Sequence, residues 1–259
     1  MRKWRSTYKA IYVVSEIHGN MKSLEVILNR ILPLRKFINQ EDIVIFMGDY
    51  IDGEENGAEV LDALINVKKE YGNRAVILKG NHENLLLGAT YGNDNDFSDW
   101  IARGGLSTIA GYVNRSECSV PTTSVSRNRL TQLIPKEHID FIRSMESYYL
   151  FDNYIFFHGS FDPKKIIADN NINNFVNDMS GSRYVKECLG KKEVPVFLDD
   201  YIYIGAHNYN SDKPFIYSKY FMLGGSKQKI FVLELNSMEM VAVSKGKSRL
   251  YKYNFDYIE

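Results

Sequence analysis

The sequence predicts a layered α/β fold, a parallel-type half followed by an antiparallel half, with the reactive side chains gathered where strands end. Three observations predict it. The first half of the chain alternates short apolar runs with amphipathic stretches at the spacing of βαβ units, and the second half is built of paired apolar runs of the kind that form hairpins. Four of the five histidines, His18, His82, His158 and His207, stand immediately after such runs, each beside a glycine, asparagine or other small polar residue. A fifth run of the same design, IVIFMGDYID, delivers Asp49 and Asp52.

Residues 10–15 read as a strand, 20–36 as an amphipathic helix, 42–47 as a second strand, 56–70 as a helix and 75–79 as a third strand. From 83 to 150 the pattern is helical with polar breaks, among them YGNDNDFSDW and GGLSTIAGY. YYLFDNYIFFHG, YIYIGAHN, FIYSKYFMLGG, KIFVLEL and MEMVAVS then supply an antiparallel half, with Asp152-Asn153 and Asn236-Ser237 as turns. No shift in composition divides the chain, so residues 1–259 are expected to form one domain.

Composition narrows the function. The chain carries 32 basic and 32 acidic residues and is 44% hydrophobic. Neutrality argues against a broad electrostatic footprint for nucleic acid, without excluding a local one. The basic amino terminus leads into an apolar run of only five residues. That is shorter than the roughly 7–15 of a secretory signal or the roughly 20 of a membrane span, so a cytoplasmic, membrane-free protein is expected. Cys118 and Cys188 have no metal-binding spacing and read as free thiols. His138 lies in a helical pattern and reads as structural. The tail from Lys245 to Tyr257, where Lys247, Arg249 and Lys252 alternate with aromatics, could form an RNA or partner surface, but with overall neutrality it reads as an edge strand or packed tail with a solvated face.

A lone histidine is more often a satisfied core or surface residue than a ligand. Four at strand ends, with Glu16, Asp49 and Asn81 at the same kind of position, make an inventory of nitrogen, carboxylate and amide donors suited to divalent metals. A carboxylate can bridge two ions about 3.5–4 Å apart, a separation that lets both act on one phosphate.

The order of motifs resembles a known family. Ser15-Glu16-Ile17-His18-Gly19, Gly48-Asp49-Tyr50-Ile51-Asp52-Gly53 and Gly80-Asn81-His82-Glu83 are similar to the GDxHG, GDxxDRG and GNHE signatures of calcineurin-like metallophosphoesterases. Within that family they most resemble the small bacterial and bacteriophage branch of PPP-type serine/threonine protein phosphatases. Trp100 to Thr108, running on to Tyr112, resembles a segment that follows GNHE in that branch, and His158-Gly159 and Ala206-His207-Asn208 stand where the family has HAG and GHT. The resemblance implies a β-sandwich of mixed sheets with metals at the carboxyl ends of strands. It implies two divalent ions, with manganese first among iron, zinc and nickel. Glu16, His18 and Asp49 would hold one; Asp49, Asn81, His158 and His207 the other. It further implies hydrolysis of phosphomonoesters by water activated between the ions, with His82 as general acid oriented by Asp52, on a phosphorylated protein or small phosphate ester.

The sequence departs from the family at two positions. Glu16 replaces an aspartate, and Gly53 stands where the family has a phosphate-clamping arginine. Arg103 and Arg183 are the candidate replacements for that arginine. Restoring Glu16→Asp and Gly53→Arg together is expected to raise activity. Three readings stay open: a phosphoprotein phosphatase, a hydrolase of dinucleoside polyphosphates or of cyclic or RNA phosphodiesters, and a degenerate member that binds phosphorylated ligands with weak turnover.

Overall fold

The computed structural model describes residues 10–32, 42–116, 121–159, 201–207, 214–217, 219–224 and 229–251. Among them, eleven strands form two mixed sheets. β1 (Ala10–Val14), β2 (Asp42–Phe46) and β3 (Ala75–Ile77) run parallel, and β9 (Ile230–Glu234), β10 (Glu239–Ser244) and β11 (Lys247–Tyr251) continue that sheet antiparallel, in the order β11-β10-β9-β1-β2-β3. The second sheet has the order β4-β5-β6-β8-β7, from β4 (Tyr148–Phe151), β5 (Tyr154–Phe157), β6 (Ile202–Gly205), β8 (Tyr220–Met222) and β7 (Phe215–Tyr217).

The two faces of the central strands read off the period of two. On β1 and β2, Ile11, Val13, Ile43 and Ile45 face the second sheet and pack with Phe156, Ile204 and Phe221. Tyr12, Val14, Val44 and Phe46 face the other way, into a layer with Leu24, Leu61, Leu64, Ile109 and Ile139. Strands buried on both faces carry near-continuous apolar runs, which is what IYVV and IVIF are. The helices are α1 (Met21–Val26), α2 (Gly57–Tyr71), α3 (Asn81–Tyr91), α4 (Asp94–Trp100), α5 (Leu106–Arg115), α6 (Arg127–Leu133) and α7 (Lys136–Ser144).

The expected layered α/β fold is present, with three differences. The helix expected over 20–36 starts at Met21 and changes to a wider π-type turn at Ile27–Ile31; residues 33–36 lie outside the described ones. The stretches YGNDNDFSDW and GGLSTIAGY are largely helical. Asn93 caps α4 by accepting from the Asn95 and Asp96 amides, so its polar residues serve the helix end instead of a loop. Nor is the second half simply antiparallel: β5 pairs parallel with β6, and β6 with β8, while β9 to β11 join the first sheet. Apolar runs do not reveal which neighbour they take, and the long sequence separation between β5 and β6 permits a parallel pairing that a tight turn could not. The tail expectation holds as far as it is described: β11 is the edge strand of the first sheet, and residues 252–257 lie outside the described ones.

Candidate metal centre

The site is built where β1, β2, β3, β5 and β6 end. Each chain leaves its strand by a sharp turn: His18, Asp49 and Asp52 all take the left-handed conformation, with φ of 49°, 55° and 65°. Non-glycine residues adopt it only where surrounding contacts over-determine it. Here those contacts are backbone hydrogen bonds between loops. Ile17 and His18 amides donate to Asp49 O (3.0 and 2.8 Å), Gly19 N–H donates to Tyr50 O (2.7 Å), and Glu54 N–H donates to His18 O (2.7 Å).

Asp49 is the hub. It is fully buried; its Oδ1 accepts the His82 amide at 3.0 Å, while Oδ2 has no hydrogen-bond partner. Around that orphaned oxygen stand His158 Nε2 at 3.2 Å, His18 Nε2 and His207 Nδ1 at 3.7 Å, and His82 Nε2 at 3.9 Å. Two rings are locked from behind. His18 Nδ1–H donates to Ile51 O (3.1 Å), and His158 Nδ1–H donates to Met47 O (2.8 Å), so in the neutral form each presents an Nε2 lone pair inward. For His158 that lone pair faces Asn81 Oδ1 at 2.9 Å as well as Asp49 Oδ2. Three acceptors facing one another is an arrangement that a shared cation satisfies.

Glu16 reaches two histidines: Oε1 lies 3.2 Å from His207 Nδ1, and Oε2 lies 3.6 Å from His18 Nε2. Donor atoms of Glu16, Asp49, His158 and His207 lie within 4.8 Å of one another, as do those of His18, Asp49 and His82. The six expected ligands are thus brought together around Asp49. His207 stands against Glu16 as well as Asp49, so the sets expected for the two ions meet more closely than their sequence order implies.

The electrostatics fit a cation. Burial opposes charge on Glu16, yet the His18 imidazole at 3.6 Å and the hydrogen bond to His207 hold its carboxyl down at about 2. Burial likewise favours neutral imidazoles, but the Glu16 and Asp49 carboxylates beside it raise His18 to about 9, and the Asp49 carboxylate at 3.7 Å together with the hydrogen bond to Glu16 raises His207 to about 10. His82 is raised against its burial by the charge of Asp49 and its bond to Asp52. The field that retains these protons is the field a divalent ion would replace them in. The donor set and the orphaned Asp49 oxygen therefore fit the two ions the motifs imply.

His82 and Asp52 form a second pair, His82 Nδ1 to Asp52 Oδ2 at 2.9 Å, which leaves His82 Nε2 facing the metal-binding cluster. Arg103 follows Trp100 on the turn Ile101–Gly105; its side chain is 57% exposed and pairs with Asp99 at 3.0 Å. Arg183 lies outside the described residues, as do Cys118 and Cys188.

Gly53 corrects an expectation. A Cβ there would overlap His18 O and lie 2.6 Å from His18 Cβ, because the 49–54 loop packs backbone to backbone on the His18 turn. An arginine at 53 is thus sterically refused, and restoring it is expected to damage the site instead of raising activity.

Sequence reasoning passed over Glu83. Fully buried, it accepts the amides of Asp49 (2.9 Å) and Gly80 (2.8 Å) on Oε2 and of Tyr50 (2.8 Å) on Oε1, tying the β2 and β3 turns together. A glutamate three residues into a helix is a capping signal, which could have marked it. Also passed over were the roles of Trp100 and Thr108, both buried beside Asp52. His138, expected to be structural, is buried between Tyr112 OH (2.6 Å) and Asp62 (2.8 Å).

Known proteins resemble this chain, some in sequence over part of its length and others in fold. The serine/threonine-protein phosphatase rdgC of Drosophila melanogaster is 30% identical over 121 residues, covering 46% of this chain and 17% of that protein. The match spans only 17% to 31% of the length of this and two further curated phosphatase relatives. Two solved structures share the fold at low identity. One, of a protein proposed to be a diadenosine tetraphosphatase, gives a TM-score of 0.56 at 12% identity over 91% of this chain and 93% of that one. The other, a serine/threonine phosphatase from Saccharomyces cerevisiae, gives 0.50 at 14% over 87% and 72%. The calcineurin-like phosphoesterase family model matches residues 9–210, and the chain belongs to that family of hydrolases.

Proposed function

We propose that the chain is a metal-dependent phosphomonoesterase that acts on phosphoserine or phosphothreonine in proteins, with His82 as general acid. The observation that carries this reading is the Asp49 Oδ2 atom, buried without a hydrogen bond among inward-facing histidine nitrogens, next to a His82–Asp52 pair. Glu16, His18, Asp49, Asn81, His158 and His207 would hold two divalent ions, manganese foremost. When bound, such ions polarise a phosphoryl oxygen and lower the proton affinity of a water.

The chain's own residues do the rest. His82 keeps Nδ1–H on Asp52, so Nε2 is the atom from which a proton passes to the leaving oxygen. Asp52 stabilises the imidazolium and fixes its ring. With no side chain admitted at 53, the phosphoryl group needs another cation. Arg103 is one candidate: its exposed pair with Asp99 is worth about 0–1 kcal/mol, so exchanging that partner for a phosphoryl oxygen costs little. Arg183 is the other.

The closed backbone at Gly53 also favours keeping a second reading, hydrolysis of a dinucleoside polyphosphate, since the usual clamp on a phosphomonoester is missing. Purified protein with Mn²⁺ is to be assayed against p-nitrophenyl phosphate, phosphopeptides, dinucleoside polyphosphates and cyclic nucleotides. Phosphopeptide turnover is expected. Binding of phosphorylated ligands without turnover under any divalent metal would sink the enzyme reading. His82→Asn should cut turnover of poor leaving groups about 10²-fold or more with metal content intact; metal loss in that variant would count against its role as acid.

A further inference from the structure

Asp52 is held by more than its histidine. Oδ2 accepts from Trp100 Nε1 at 2.7 Å as well as from His82 Nδ1, and Oδ1 accepts from Thr108 Oγ1 at 2.6 Å. Thr108 Oγ1 in turn accepts the Asp52 amide at 3.0 Å. All four residues are buried, and Trp100, Thr108 and Asp52 are fully so. A tryptophan N–H needs a partner when buried; this one uses the carboxylate that orients the acid.

The chain segment between them is shaped to make these bonds. α4 ends at Trp100, the turn Ile101–Gly105 is widened, and α5 brings Thr108 back to Asp52. Gly104 has a φ of 118°, and a Cβ there would lie 3.0 Å from Asp52 O; a Cβ on Gly105 would lie 2.6 Å from the Trp100 ring. One turn further along α5, Tyr112 is bonded to His138 on α7, and His138 to Asp62 on α2. α5 is therefore fastened by hydrogen bonds at both Thr108 and Tyr112.

We propose that Trp100 and Thr108 are positioning residues for the proton-donating step: they fix the plane of the Asp52 carboxylate, and through it the direction of His82 Nε2. A carboxylate offers about four lone-pair sites and turns freely about its last bond when one donor holds it. Three donors on two oxygens remove that freedom. Misplacing a reacting group by about 1 Å can cost about 10²-fold in rate. The proposal rests on reading His82 as the acid.

The experiment compares Thr108→Val, which keeps the shape and loses the hydroxyl, with Thr108→Ser, which keeps the hydroxyl, and with Trp100→Phe. Each Mn²⁺-loaded protein is assayed on phenyl phosphate, a poor leaving group, and on 2,4-dinitrophenyl phosphate, a good one. Thr108→Val is expected to lose about 10- to 100-fold in kcat on phenyl phosphate and less than about threefold on the dinitrophenyl ester, with KM and metal content unchanged. Thr108→Ser should recover most of the loss. A readout independent of turnover, taken on protein loaded with diamagnetic Zn²⁺, is the His82 Nδ1–H proton resonance, which should exchange faster with solvent in Thr108→Val than in wild type and return in Thr108→Ser.

Equal losses on both esters, a Thr108→Ser as poor as Thr108→Val, or an unchanged His82 resonance would overturn the proposal. His82→Asn separates the two claims. If it too lacks a leaving-group dependence, the acid reading fails; if it shows one and Thr108→Val does not, only the positioning role fails. Should Trp100→Phe not fold, the threonine pair decides alone.

Discussion

Glu83→Gln isolates the residue on which the metal-binding turns rest. Glu83 accepts three amides, from Asp49 and Gly80 on one oxygen and Tyr50 on the other, with no solvent to replace them. Burial and the charge of Asp49 push its own carboxyl upward, which raises the question of whether it acts as carboxylate or acid. Donors aimed at both oxygens favour the carboxylate. Glutamine has one acceptor oxygen. Seated where Oε2 is, that oxygen keeps two amides and turns its NH₂ on the Tyr50 amide, leaving that donor buried and unpaired. Such a group costs about 1–3 kcal/mol. In a chain of this size about 1 kcal/mol lowers Tm by about 2–4 °C, so a fall of about 2–12 °C is expected. The Asp49 turn, left-handed at φ 55°, should relax in step, and the protein should retain less Mn²⁺ after gel filtration. Thermal melts with and without EDTA, with metal analysis, read both effects. Were Glu83 protonated, glutamine would be nearly its equal, and an unchanged Tm with full metal content would refute the reasoning.

Other outcomes follow from the same geometry. Gly53→Ala should destabilise by about 1–3 kcal/mol through contact with His18, seen as a lower Tm, and Gly53→Arg should leave little metal bound; an active, metal-replete Gly53→Arg would refute the packing argument. Because His18 and His207 are raised to about 9 and 10 in the folded metal-free protein, their contribution is complete below the unfolded value near 6.5 and fades as pH rises through 9–10. EDTA-treated protein should thus lose Tm over pH 6.5–10. Mn²⁺ binding at pH 8 should release close to two protons, read as a buffer-dependent calorimetric heat; no proton release would contradict it. Tyr112→Phe leaves His138 Nδ1 without its partner and should cost about 1–3 kcal/mol by denaturant melt.

Much of the site was legible because its residues follow strands. His18, Asp49, Asn81, His158 and His207 each come after a run with strand composition, and parallel strands deliver their following residues to one edge. The pairing of β5 with β6 was not legible, since YIFF and YIYI are apolar in any partnership. Nor was the reason for Gly53. In sequence it is an arginine missing from a motif; in space it is where two backbones touch. Glu83 and Thr108 escaped for a similar reason, as their partners lie 33 and 56 residues away and are in part backbone amides that no side-chain pattern records. Asn93 shows the opposite error: polar residues taken as a break are the cap of α4.

In the proposed function Asp49 would bridge two divalent ions. An anomalous difference map from crystals grown with Mn²⁺ tests it most directly. Two peaks flanking Asp49 Oδ2 are expected, one against His18 and Glu16 and one against Asn81 and His158. One peak, no peak, or ions bound away from Asp49 would contradict the account.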